Sequence, residues 1–314
     1  MRSSPGGRPA AGSGGRRGGG AAWPPGPTPA RARHRARTTR ADVRHWRGPR
    51  SRSLTWRASP AFAVVLVLAL SFTPTVVDRL VLPVAGPYLP HASTPPRGVG
   101  AAEKPIGTPP TAPSSTSYRL NESPDPGQEM VAYDPCRPVH WVVRPDNAPP
   151  GAQQLVEQAL AEVSVATGLQ FVHDGTTTEA PSGSRDNYQP ERYGKRWAPL
   201  LITWSDPGET PGLAGRVVGL GGSSYAQSPG RPLVYVAGSV TLDAPDLTAV
   251  LERPHGRAQV RAVIMHELGH VVGLDHVDDP GQLMHAENSG LTGFAAGDLA
   301  GLARLGTGEC VPQL

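Results

Sequence analysis

Long apolar runs, aromatic residues and cysteines are all scarce in this chain, and each scarcity narrows what it can be. The longest apolar stretch, residues 61–72, is twelve residues long, short of the roughly 20 that a membrane-spanning helix needs. Residues 76–82 extend it only through Asp78 and Arg79, a charged pair that is costly inside hydrocarbon. Aromatics are 5% of the 314 residues, whereas glycine and proline number 38 and 36, too many for a chain packed along its whole length. Acids are nearly missing from the front: residues 1–57 hold fourteen arginines and one acid, Asp42. That segment is +13 and the whole chain +4, which leaves −9 for the rest, so the high pI belongs to the tail alone. No repeat of solenoid length is visible.

Arginine mixed with glycine, alanine and proline ahead of a short apolar core reads as the cytoplasmic flank of an export signal, not as a nucleic-acid-binding tail. The expected organisation is a disordered basic tail at 1–57, a signal peptide or signal anchor at 58–86, a disordered Pro/Ser/Thr-rich linker at 87–130 and a folded domain at 131–314. The apolar residues within 61–82 give a possible membrane anchor, and the folded domain is expected outside the cytoplasm. Asn121-Glu122-Ser123, in the linker, is formally a glycosylation acceptor.

Within 131–314 the pattern reads as strand at 139–143, helix at 152–167, strand at 169–173, strand at 200–204, a glycine-rich stretch at 208–222, further strand at 233–236 and 239–242, and helix at 257–272. That order is α+β. The last helix carries His266-Glu267-Leu268-Gly269-His270-Val271-Val272-Gly273-Leu274-Asp275-His276. At 3.6 residues per turn, His266 and His270 lie about 40° apart around the axis, so both imidazoles reach one metal ion. Glu267 projects about 100° from His266, beside the metal, where a carboxylate can take a proton from water. Gly273 lets the chain turn sharply and return His276 as a third ligand. Three imidazoles leave a fourth position open, which distinguishes a catalytic zinc site from a structural one.

The extended motif, with Met284 close behind it, resembles the metzincin metallopeptidases and, within them, the matrixins. Residues 279–284 resemble the path to that family's Met-turn, and residues 297–306 its last helix. The resemblance implies a zincin-like catalytic domain: a twisted, mostly parallel sheet with an active-site helix and a small C-terminal subdomain. It implies one catalytic zinc held by His266, His270 and His276, Glu267 as general base, Met284 as an apolar floor, and a protein or peptide substrate. Three departures stand out: Val277 replaces the usual serine, His285-Ala286-Glu287 follows Met284, and no PRCGxPD switch is present.

Cys136 and Cys310 are most simply one disulfide across an exported domain; the competing arrangement, a Cys136 thiolate on the metal, has only Asp134-Pro135-Cys136-Arg137-Pro138 behind it. His285 is expected to line the pocket or lie exposed, and His140, His173 and His255 lack ligand spacing. Residues 200–242 contain no histidine, which argues against a second zinc, while calcium is open near Asp206, Glu209, Asp243 or Asp246. Residues 217–225 are expected to hold an edge strand on which an extended peptide pairs. A monomer is expected. A zinc-binding surface module without catalysis, or an anchored protein whose basic front meets anionic lipid, are the rival classes.

Overall fold

The computed structural model describes residues 92–287 and 290–314; the basic tail and the apolar segment at 58–86 lie outside the described residues. The elements are β1 (Arg119–Leu120), β2 (Ala132–Tyr133), β3 (Val139–Arg144), α1 (Ala152–Thr167), β4 (Phe171–Thr176), α2 (Pro190–Tyr193) and β5 (Leu200–Ser205). After a 3₁₀ turn at Pro211–Leu213 come β6 (Gly219–Gln227), β7 (Leu233–Asp243), α3 (Ala244–Leu251), α4 (Gly256–Val272), β8 (Leu274–Asp275) and α5 (Ala296–Leu305).

The main sheet runs β2-β7-β5-β3-β4, with β6 added beside β7. All its pairings are parallel except β6 with β7. Strand β7 meets β2 at Val234 and Tyr235 and β5 along Ser239–Asp243, while β6 pairs with it from Leu233 to Leu242. Because β6 overlaps both of the other registers, it must occupy the opposite edge of β7. It is therefore an edge strand, as the sequence suggested for 217–225.

The reasons for these elements are local. Every residue of β5 is buried, as a central strand of a helix-covered parallel sheet requires. In β3 the alternate residues Val139, Trp141 and Val143 join the core. Helix α1 turns Leu155, Val156, Ala159, Leu160 and Val163 inward, and Gly168 ends it at φ 77° with its N–H donated to Ser164 O. The following strand starts at Phe171, later than expected, because cap bonds hold Leu169: the Ser164 hydroxyl donates to its carbonyl and its N–H donates to Thr167 Oγ1. Helix α3 escaped the sequence reading although its signature is present, with Asp243 accepting from Asp246 N and Pro245 in the first turn.

The linker expectation needs correction over residues 92–130. This stretch lies against the domain as an extended strap, with Pro95 and Pro96 buried. Its polar groups are satisfied one at a time: Ala102 N donates to Cys136 O (2.7 Å), Ile106 N to Pro135 O (3.0 Å) and Asn121 N to Gly273 O (2.8 Å). The Gln128 side chain donates to Leu233 O and accepts from Leu233 N. Lack of apolar periodicity misled because an extended, proline-rich strap has no repeating buried face. Proline also reduces the chain entropy lost on ordering.

Cys136 and Cys310 form a disulfide, so no cysteine among the described residues is free to block a metal. The bond fixes a tail whose Val311 and Leu314 are buried, with Val311 N donating to Asp134 Oδ2 and Arg137 donating to Leu314 O. Replacing both cysteines by serine is expected to lower unfolding stability by about 2–4 kcal/mol in urea titration. A loss below about 1 kcal/mol would mean that the tail's other contacts suffice.

Candidate metal centre

Helix α4 is buried on most of its circumference, with Val260, Ile264, Met265, Leu268 and Val271 all in the core. A helix so enclosed is held by packing and cannot rotate its polar residues away from a site. It presents His266, Glu267 and His270 to a cleft of about 490 Å³, opposite β6. Gly273 closes the helix at φ 123°, its N–H directed to Gly269 O and His270 O. A side chain is strained at that φ, and a Cβ would also stand 2.8 Å from Leu305. The chain then reverses through β8 and delivers His276.

The three Nε2 atoms converge at 3.1 Å for His266 to His276, and at 3.2 Å for His270 to each of the others. His266 Nδ1 lies 2.8 Å from Leu283 O and His270 Nδ1 2.9 Å from Leu274 O. A carbonyl only accepts, so each Nδ1 carries the proton and each of these Nε2 atoms presents a bare lone pair. Tetrahedral zinc at 2.0–2.1 Å from its ligands sets neighbouring donors about 3.3 Å apart, and the triad fits that spacing. Burial holds the His266 pKa down at about 4 and lowers that of His270, which favours the neutral imidazole at both.

Glu267 is 6% exposed, and burial pushes its carboxyl up to about 7 against one opposing bond from Gly221 N–H. The residues of β6 that face α4 are Gly219, Gly221 and Ser223, alternate positions of one strand face. A Cβ on Gly219 would stand 2.7 Å from the Glu267 side chain, and one on Gly221 would stand 2.2 Å from Glu267 O. Ser223 Oγ donates to Val271 O (2.8 Å) and sits 2.8 Å from Tyr133 Oη. With its own proton committed to the carbonyl, Ser223 accepts from the buried Tyr133.

Met284 is buried with its sulfur against Gly269, between His266 and His270 along α4. Asp298, fully buried on α5, holds this segment: it accepts from Leu283 N (2.7 Å), Met284 N (3.1 Å) and Ala295 N (2.8 Å). Burial raises its pKa while these amides oppose the rise. Asp298 is the lone acid of an otherwise largely apolar helix, and that is the one signal of its role in the sequence. His285 lines the cleft, and its Nδ1 meets the Glu287 backbone. His140 instead pairs with Asp174 and Arg196, His173 stacks on Trp141, and His255 precedes α4 at φ 60°. Of the acids considered for calcium, Asp206 and Asp243 cap backbone amides and Glu209 is engaged by Arg144 and Ser205. Among the described residues neither they nor Asp246 falls in a three-ligand cluster.

Residues 221–298 match the family described as Matrixin. This segment is matrixin-like. It runs from Gly221 in β6 to Asp298 in α5 and so encloses the triad, Glu267 and Met284. Among solved structures, archaemetzincin from Methanopyrus kandleri is similar at 17% identity, covering 53% of this chain and 93% of that one, with a TM-score of 0.31. No curated protein matches. Within the matched segment the structure brings His266, His270 and His276 together as one cluster of possible metal ligands.

Gly221→Ala is expected to destabilise the fold by about 1–3 kcal/mol, since the added methyl meets helix backbone and not a mobile side chain. Gly222→Ala, whose Cβ meets nothing within 4 Å, should change stability by less than about 0.5 kcal/mol. Urea titration of the two variants decides it; equal effects would show that β6 and α4 separate easily.

Proposed function

We propose that this protein is a zinc-dependent endopeptidase that cuts peptide bonds in proteins outside the cytoplasm. The observation that carries the reading is the convergence of three imidazole nitrogens beside a buried glutamate in a cleft bordered by β6. Among the described residues β6 pairs only with β7, so its outer edge is open to an extended peptide, and backbone hydrogen bonds there would hold the substrate in register. Ala262, Val263, Leu283 and Leu291 line the cleft and favour an apolar side chain next to the scissile bond.

Zinc, when bound, supplies a Lewis acid that polarises the scissile carbonyl and lowers the pKa of a bound water to about 7. In this reading the Glu267 carboxylate takes the proton from the attacking water and passes it to the amide nitrogen as the C–N bond breaks. Gly221 N–H fixes one side of that carboxylate, so it does not swing out of the cleft between the two transfers. The extracytoplasmic setting rests on the disulfide, which persists in oxidising compartments, and on the export-like residues 58–86.

Glu267→Ala is expected to lower kcat/KM on a casein or quenched-peptide substrate by at least about 100-fold, with zinc content unchanged by metal analysis. Chelation should silence the wild type and added zinc restore it. Equal cleavage by wild type and variant would remove Glu267 as the base, and absence of cleavage by both would favour a binding module.

A further inference from the structure

Two of the three ligands are aimed by hydrogen bonds of their own rings, but the third is not. His266 and His270 each donate Nδ1–H to a carbonyl. For His276 the described residues provide no Nδ1 partner, its ring is exposed, and it sits on a loop after the helix has ended. Its aim must therefore come from its backbone.

Downstream, that backbone is tied by Val277 N donating to Met284 O (3.1 Å) and by the bridge between Val277 and His285. Upstream, its strand partner is the strap. β1 pairs antiparallel with β8, Arg119 opposite Asp275 and Leu120 opposite Leu274, directly before His276. Asn121 continues the contact: its N–H donates to Gly273 O at 2.8 Å, and its side-chain amide reaches His270 O and Tyr235 Oη, each at 3.4 Å. Tyr118 packs over Gly301 of α5, and Ser117 O lies against Gly297, so α5 backs the strap on its other side.

We infer that residues 117–121 form part of the metal centre, with Asn121 as the positioning residue that holds the His276 loop at the ligand spacing. The segment supplies none of the three ligand nitrogens; it acts through His276. The inference rests on zinc binding by the triad and not on peptide cleavage. It assigns a use to a stretch whose composition alone suggested only a tether.

The test is zinc affinity of the full chain, measured by competition with a chromogenic chelator, alongside the thermal midpoint of the metal-free protein. Asn121→Pro removes the N–H and the side-chain amide together, and Leu120 before it is already extended, as a residue preceding proline prefers. It is expected to weaken zinc binding about 10- to 100-fold, the usual effect of losing a group that orients a ligand. Asn121→Ala, which keeps the N–H, should weaken it less. Leu160→Ala, in the buried face of α1, controls for lost stability: it should lower the metal-free midpoint yet leave zinc affinity within about threefold. Zinc affinity of Asn121→Pro within about threefold of wild type would overturn the inference, as would a loss matched by Leu160→Ala. Because the readout is metal affinity, an inactive wild type would count against the peptidase reading and leave this one standing.

Discussion

Three nitrogen lone pairs held within 3.2 Å of one another repel, and the rest of this structure is organised around enforcing that arrangement. A cation of suitable size turns the repulsion into ligation, but the protein must hold the rings in place before it arrives. Leu283 O and Leu274 O select the tautomer of two rings by accepting from Nδ1. One carbonyl belongs to a loop and the other to β8, and both have their own anchors: Asp298 holds Leu283 and Met284, and β1 holds Leu274. The geometry at the metal thus depends on α5 and on the strap, neither of which supplies a ligand.

The enclosure of α4 carries the second half of the organisation. Gly219, Gly221 and Ser223 keep one face of β6 nearly bare, which brings this strand and the histidine-bearing helix into close contact. Ser223 then adds a bond to Val271 O, one turn past Glu267, and Tyr133 supports Ser223 from β2. At Gly221 the spacing of β6 and α4 is set by backbone atoms, which do not rotate.

Much of this was legible because it is local. The His-Glu-His spacing follows from helical pitch and α1 from its apolar period and closing glycine, while the disulfide, though long-range, had only two cysteines to pair. The pieces that escaped depend on contacts distant in sequence. Nothing in Asn121-Glu122-Ser123 announces that its first residue meets Gly273, and Asp298 becomes meaningful only when Leu283 and Met284 fold over it. Gly221 was visible as part of a glycine-rich stretch, but that its missing side chain makes room for a helix backbone is a fact of packing. The strap was misread for the opposite reason: its composition describes a chain unable to build a core, and says nothing of one lying along a core built by others.

Removal from water explains why the same pocket suits both residue types in it. A carboxyl free in solution has a pKa near 4.3 and is a weak base toward water, while an imidazole near 6.5 is partly protonated and so a poor ligand. Burial disfavours charge on either group, which acts on them in opposite senses. It lifts Glu267 to about 7 and drops His266 to about 4, so the imidazole sheds its proton as the carboxylate becomes more willing to take one. A carboxylate in such a setting, with a single amide donor, costs the fold stability. That cost and the proton-transfer ability of the site have the same origin, so a substitution that admits water to relieve the first also weakens the second.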